Sequence, residues 1–580
     1  MLLPAKKGLT ILVHVAVLLS LVLAPCGAQG LSNGFDAREA TVGSVHEALF
    51  GARTTCREIV SAFIARVEEF NPVINAVISL NPDALSAADW LDEALVTGDA
   101  TGALFCIPVL LKDSYDAVGM STTGGCRGLA DNRPSADAPT VKALKDAGAI
   151  ILGKANMHEM ALEGLSVSSL GGQTVNPYDL TRTPGGSSGG SGAALAANMA
   201  VLVTGTDTVN SLRSPASANS LFSFRPTRGL ISRAGVIPVS FTQDAVGAMA
   251  RTPRDLAVAL TVMASVGFDP RDNVTALAPP EVRDNDNDND YYYSTVHKDG
   301  SLKGLRLGLI NGFFNHTASD ETTPVNDVMA ATVSKLTAAG AEIVNITDSI
   351  FDALAIAKLD VQAFEYREQL DEYLAAAPPL PPSGTTTPPR PTSFHELYNN
   401  ANNNSDSSLV IPAQYPFIKR AAQSSTHDAA YTTTLGRIQS LTASLRATFT
   451  TNNLDALIYP EQKNLVVKLG SPSQSGRNGI LAALTGHPVV CVPAGFSPPS
   501  ADAPVGVPVG MEILGRPWSE DRLLSIASRI HELGGVPVRR TPPFAERAVA
   551  PKCYGRVPRV KPDVASIPAA YSLGVLCVDE

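Results

Sequence analysis

Along residues 45–70 apolar positions recur every three to four residues, which predicts an amphipathic helix closed at Asn71-Pro72. A short, wholly apolar run over 104–111 then stops at Lys112-Asp113 and reads as a strand. The alternation continues with a helical pattern over 140–147 and a strand over 149–152 that leads into Gly153-Lys154-Ala155-Asn156. Further strand-like runs lie at 305–310, 342–346, 456–459, 489–492 and 507–514, with helical periods at 325–338, 432–450 and 520–533. Strands interleaved with helices predict a layered α/β domain on a mixed sheet. Two stretches break the pattern: an Asp/Asn alternation over 284–290, and a Pro/Thr-rich stretch over 378–391 followed by an Asn-rich one over 399–408. Both read as exposed insertions within one domain, at about 280–300 and 376–408.

The first residues stand outside that domain. Lys6 and Lys7 precede an apolar run over 9–23, and Ala24-Pro25-Cys26-Gly27-Ala28-Gln29 follows. A charged start, an apolar middle and a small-residue exit predict a secretory signal over 1–28. The run is shorter than the roughly 20 residues a spanning helix needs. No other stretch is longer and as apolar, so no integral membrane span is expected. Removing the signal takes Cys26 with it and leaves Cys56, Cys106, Cys126, Cys491, Cys553 and Cys577. An even number in an exported chain permits disulfides. Cys106–Cys126 and Cys553–Cys577 are the expected pairs, and Cys491, inside an apolar run, is expected to be a buried free thiol. Sequons at Asn273, Asn315, Asn345 and Asn403 fit the same compartment.

Composition narrows the partners. A chain of 580 residues with 44% hydrophobic and 17% charged content has material for a large core. Its formal net charge of -10, with no basic run, argues against a phosphate backbone, so no nucleic acid partner is expected. No Cys-x-x-Cys pair occurs and histidines are scattered, so neither a metal site nor another cofactor is implied.

Two loops of small residues hold the candidate chemistry. The first is Gly185-Gly186-Ser187-Ser188-Gly189-Gly190-Ser191, ahead of an Ala-rich helix over 193–200. The second is Gly205-Thr206-Asp207-Thr208-Val209-Asn210-Ser211, after an apolar run over 199–203. Loops this poor in side chains let backbone N–H groups converge on an anion or an oxyanion. Taken alone, the first loop has other accounts. Gly186-Ser187-Ser188-Gly189-Gly190 matches the G-x-S-x-G nucleophile elbow, which needs an apolar strand before it and a histidine, for which His487 is the candidate. A phosphate loop needs a closing Gly-Lys-Ser/Thr, absent here, and an isolated Gly/Ser run is a flexible linker.

With Pro108-Val109-Leu110-Leu111-Lys112-Asp113 and Ser211-Leu212-Arg213-Ser214-Pro215 added, the chain resembles the amidase signature family. The resemblance extends through Lys154-Ala155-Asn156-Met157-His158-Glu159, Asn176-Pro177-Tyr178-Asp179, Arg225-Pro226-Thr227-Arg228-Gly229 and Gly486-His487-Pro488. It covers about residues 40–275 and 410–535. It implies one α/β domain over 29–550, its mixed central sheet covered by helices on both faces, with a tail over 551–580. It also implies a triad in which Ser211 is the nucleophile, Ser187 the bridging serine in a cis Gly186-Ser187 peptide, and Lys112 the base. A serine hydroxyl attacks only as its proton is taken, and a lysine takes one only while neutral, the state that burial favours. Ser187 would relay the proton from Ser211 to Lys112 and return it to the leaving amine. Backbone N–H groups of Thr208, Val209, Asn210 and Ser211 would form the oxyanion hole and contact substrate.

This chain departs from the family pattern at several positions. Glycines are usual where Val209 and Asn210 stand; valine tolerates positive φ poorly, whereas asparagine can accept it or donate its own amide. Cys106 stands where glycine is frequent and Ser114 where asparagine is common. Ser188 is expected to order the loop, and Asp207 and Arg213 to pair with structural partners. The implied function is an exported amidase acting on a small-molecule linear amide, releasing acid plus ammonia or an amine through an acyl-enzyme on Ser211. An amide-forming acyltransferase and a non-catalytic binding protein on the same fold are the alternatives. The signal argues against a tRNA-amidotransferase role, which needs intracellular partners.

Overall fold

The computed structural model describes residues 35–280, 292, 296, 301–376, 390–399, 409–533, 539–550 and 552–575. The expected signal, most of both expected insertions, the Asn403 sequon and Cys577 lie outside them. Its frame is an 11-stranded sheet. The strands of the first half are β1 (Val77–Leu80), β2 (Pro108–Lys112), β3 (Ile150–Ala155), β4 (Leu202–Asp207), β5 (Phe222–Arg225) and β6 (Ala245–Ala250). Those of the second are β7 (Arg306–Ile310), β8 (Glu342–Ile346), β9 (Ala456–Pro460), β10 (Val489–Phe496) and β11 (Pro508–Leu514). They lie in the order β1-β3-β2-β4-β6-β5-β10-β11-β9-β7-β8. The sheet is mixed, as its sequence pattern predicts. β2 runs parallel to both β3 and β4, while β4 pairs antiparallel with β6. Every residue of β2, β3 and β4 is buried, which is why β2 and the start of β3 read as continuous apolar runs, whereas β4 continues its apolar start with Thr204, Gly205, Thr206 and Asp207. Among the described residues no helix is long and apolar enough to cross a membrane.

Register brings the candidate residues together. Val109 and Leu110 of β2 face Leu202 and Val203 of β4, so Lys112 and the threonines of β4 meet toward the C-terminal ends of these two parallel strands.

Two expected helices differ from the sequence reading. The period over 45–70 spans a break between α1 (Val42–Phe50) and α2 (Cys56–Ile74). Thr55 starts α2 with a capping box, its hydroxyl accepting from the Glu58 N–H and the Glu58 carboxylate from the Thr55 N–H. Helix α2 runs on through Asn71-Pro72, and the Asn71 side chain then accepts the N–H groups of Ala76 and Val77. The Ala-rich helix begins earlier than its alanines, as α3 (Gly189–Ala196). Its glycines are packing positions: a Cβ on Gly190 would lie 2.1 Å from the Asn156 carbonyl oxygen. Close backbone approach, not flexibility, explains the composition of this loop.

Past residue 550, the described residues 552–575 lie against the domain. Tyr554 donates to Glu68 on α2 at 2.6 Å, Tyr571 is buried, and Gly574–Val575 pairs with Leu409–Val410.

The expected Cys106–Cys126 bond is not formed. Cys106 bonds instead to Cys56, the first residue of α2, and Cys126 is a buried free thiol among apolar side chains. Sequence proximity misleads here because α2 packs beside the approach to β2. Cys106 has φ 59°, in the region that favours glycine. Cys491 is free and buried as expected, and Cys553 is disulfide-bonded. Removing the Cys56–Cys106 bond with a paired Cys→Ala substitution frees a loop of 50 residues in the unfolded chain. The expected cost is about 3 to 4 kcal/mol of unfolding free energy. Urea titration of the oxidised protein reads it, and an unchanged midpoint would refute it.

Candidate active site

Lys112 ends β2 with no solvent exposure. Its Nζ donates to Ser187 Oγ at 2.7 Å and to Thr206 Oγ1 at 2.7 Å. Burial pulls its pKa down to about 7, against the opposing pull of the Asp207 and Asp244 carboxylates. An amine with that pKa is neutral in a large fraction of molecules at pH 7 and then has a lone pair for a proton. Thr204 Oγ1 accepts the Lys112 N–H at 3.0 Å, so successive inward positions of β4 hold both the main chain and the side chain of the lysine.

The Gly186-Ser187 peptide is cis. Ser187 is fully buried, and its carbonyl accepts the His158 N–H at 3.0 Å. Ser188 orders the loop: its N–H donates to the Ser211 carbonyl at 3.1 Å, and its hydroxyl lies 3.3 Å from both the N–H and the carbonyl of Thr206. These bonds bring the two small-residue loops together. Ser211 is 7% exposed and opens on a cavity of about 840 Å³ together with Thr208 and Val209. Phe314, Leu354 and Phe417 give this cavity apolar wall, and Glu163 and Arg477, 3.4 Å apart, give it an ion pair.

The segment before Ser211 is fixed from several sides. Thr208 donates to Asp244 at 2.6 Å, and Arg213 donates to the Val209 carbonyl at 2.5 Å. Asn210 is buried, and its amide donates to Glu461 at 2.6 Å. Neither Val209 nor Asn210 has positive φ, so the conformation that would strain valine does not arise, and the Asn210 amide is committed to the protein. Beneath lies a buried ionic cluster. Arg213 grips both oxygens of Glu512 at 2.7 and 2.6 Å and both oxygens of Asp207 at 3.1 and 3.0 Å, while Arg225 donates to Asp207 at 2.7 Å. Asp207 and Arg213 thus have the structural partners expected of them.

The elbow reading finds no support in this geometry. His487 is buried, holds its own Thr485 carbonyl at 3.3 Å and stacks on Phe449, and the Ser188 hydroxyl is committed to Thr206. The strand that precedes Ser187 in an elbow is also missing, since residues 181–188 form no strand. Sequence reasoning missed Thr206, although Thr204, Thr206 and Thr208 alternate and so share one face of the chain. It missed Glu461 and Glu512 as well, which lie 251 and 299 residues from the partners they hold.

The chain is similar to known proteins in both sequence and fold. A family model described as Amidase matches residues 58–524. Over 518 residues the chain is 31% identical to a glutamyl-tRNA(Gln) amidotransferase component of Alkalilimnicola ehrlichii, covering 85% of this chain and 97% of that one. Over 525 residues it is 30% identical to a protein of Arabidopsis thaliana named as a probable amidase, covering 89% of this chain and 93% of the other. Among solved structures, native peptide amidase from Stenotrophomonas maltophilia superposes with a TM-score of 0.73 at 30% identity, covering 87% of this chain and 98% of that one. The match spans the lysine strand and both small-residue loops, and the chain belongs to the Amidase family.

Proposed function

We propose that this protein is an exported amidase that hydrolyses a linear carboxylic amide through an acyl-enzyme on Ser211. The observation that carries the reading is the buried Lys112 amine, lowered to a pKa of about 7 and 2.7 Å from the Ser187 hydroxyl. In the proposed reaction Ser211 Oγ bonds to the amide carbon as its proton passes to Ser187 and the Ser187 proton to Lys112. The carbonyl electron pair moves onto oxygen, facing the backbone N–H groups of Thr208, Val209, Asn210 and Ser211. Collapse breaks the C–N bond, and the relay returns the proton to the departing ammonia or amine. Water then attacks the ester through the same relay and releases the acid. Likeness to a peptide amidase supports an amide of this kind as substrate, and the partly apolar cavity at Ser211 supports an acyl group with apolar bulk. Export is supported by the charged-then-apolar pattern of residues 6–23 and by the Cys56–Cys106 bond.

Labelling with a fluorophosphonate serine probe, followed by mass spectrometry of the adducted peptide, tests the reading. The adduct is expected on Ser211 and is expected to vanish in Ser211→Ala. An adduct on Ser188, or none in the folded protein, would overturn it. Adding an amine during turnover separates hydrolysis from amide formation: a hydrolase releases acid, whereas a transferase diverts the acyl group to the amine.

A further inference from the structure

Family resemblance places glycines just before the nucleophilic serine, and a glycine offers no side chain to hold. This chain has Asn210 there, with its Nδ2 donating to Glu461 Oε1 at 2.6 Å. Glu461 has no solvent exposure and follows directly on β9. Its own main chain is fixed on both sides: its N–H donates to the Gly510 carbonyl of β11 at 3.1 Å, and its carbonyl accepts the Asn478 N–H at 3.2 Å. The other carboxyl oxygen, Oε2, is buried without a hydrogen-bond partner. A half-satisfied buried carboxyl is an expensive group to keep in a core. Burial and then the Glu512 carboxylate push its pKa up, while the Asn210 amide and Arg213 pull the other way.

Two tethers therefore bracket the peptide groups ahead of Ser211. Arg213 ties the Val209 carbonyl and also the Gly479 carbonyl, at 2.5 and 2.9 Å. Glu461 ties the Asn210 side chain. Gly479 closes over the pair: a Cβ there would lie 2.5 Å from Asn210 Cβ and 2.8 Å from Arg213 Nη1. A segment this enclosed has one position, and its N–H groups point where the main chain dictates.

We propose that Glu461 is a positioning residue which, through the Asn210 amide, fixes the 208–211 segment so that its backbone N–H groups meet the developing oxyanion. The inference rests on Ser211 being the nucleophile. Its chemical content is preorganisation, since oxyanion donors act by already being aimed before charge develops. Loss of the tether falls on the bond-making step, where a displacement of about 1 Å is worth roughly 100-fold, and leaves ground-state binding nearly alone.

The experiment measures fluorophosphonate inactivation of the full chain as a saturable process, giving a maximal rate and a half-saturating concentration. Glu461→Leu is expected to lower the maximal rate by roughly 10- to 100-fold with half-saturation within about threefold. Glu461→Gln keeps an acceptor for the Asn210 amide and is expected to stay within about threefold of the wild-type rate. Asn210→Ala breaks the same bond from the loop side without touching the buried carboxyl, so it reads the tether even if Glu461→Leu fails to fold, and the same loss is expected. In an Asn210→Gly background, adding Glu461→Leu is expected to change the rate by less than about threefold, because no side chain remains to be held. A wild-type maximal rate in Asn210→Ala, or an undiminished effect of Glu461→Leu in the Asn210→Gly background, overturns the inference while leaving Ser211 as nucleophile. Absence of a Ser211 adduct in the unaltered protein overturns both.

Discussion

Lys112→Met is expected to slow acylation of Ser211 by about 1,000-fold or more while leaving the fold in place. Methionine has the length of the lysine stem and no amine, and the site already holds Lys112 without solvent exposure, so the substitution fills the same space. What it removes is the acceptor at the end of the relay, and the Ser187 hydroxyl is then left with no base 2.7 Å away. The pH profile carries the sharper test. Burial lowers the amine from 10.5 to about 7, with Asp207 and Asp244 pulling the other way. Only the neutral amine accepts a proton, so the rate is expected to climb tenfold per unit below about pH 7 and to level off above it. Inactivation rates measured from about pH 5 to about pH 9 show this limb, and Lys112→Met is expected to abolish it. Persistence of the limb in Lys112→Met would assign it to another group and remove the lysine from the mechanism.

What could be read from the chain and what could not divides along physical lines. Strands β2, β7, β8, β9, β10 and β11 stand near where apolar runs place them, and all of these but the edge strand β8 are largely buried, the setting in which strands advertise themselves as continuous hydrophobic segments. The cysteine expected to pair with Cys106 was the wrong one, because Cys56 approaches it only after α2 has packed against the strands. The helix over 45–70 breaks at residues 51–55, where apolar spacing persists through the turn and the only local signals are Gly51 and the Thr55–Glu58 cap. Lys112 and Ser187 were legible as a pair only through the family resemblance, since they are 75 residues apart and neither is distinctive alone. Thr206 could have been found from the alternation of three threonines. Glu461 could not, because a single glutamate after a strand carries no local mark of the asparagine it will meet.

The same long-range partnerships decide stability. Arg213→Met is expected to cost about 5 kcal/mol, the largest loss from any single substitution in the ionic cluster. The cluster balances two guanidinium groups, Arg213 and Arg225, against two carboxylates, Asp207 and Glu512, all without solvent exposure. Although burial opposes it, Arg213 and Arg225 together hold Asp207 well below the usual carboxylate range. Removing Arg213 leaves two buried carboxylates facing one cation, and that unpaired charge outweighs the lost hydrogen bonds. The sign of the pH dependence follows. A carboxylate with a depressed folded pKa contributes stability above its unfolded value of 3.8, and that contribution is lost as pH falls through the folded value. The deficit of Arg213→Met is therefore expected in full at neutral pH and to narrow below about pH 4. Adding Glu512→Gln removes one of the stranded charges and is expected to recover part of the loss at neutral pH. Urea unfolding of the single and double variants at two pH values measures all of this. A single variant within about 1 kcal/mol of the parent would show that the cluster contributes orientation at the Val209 carbonyl and little stability.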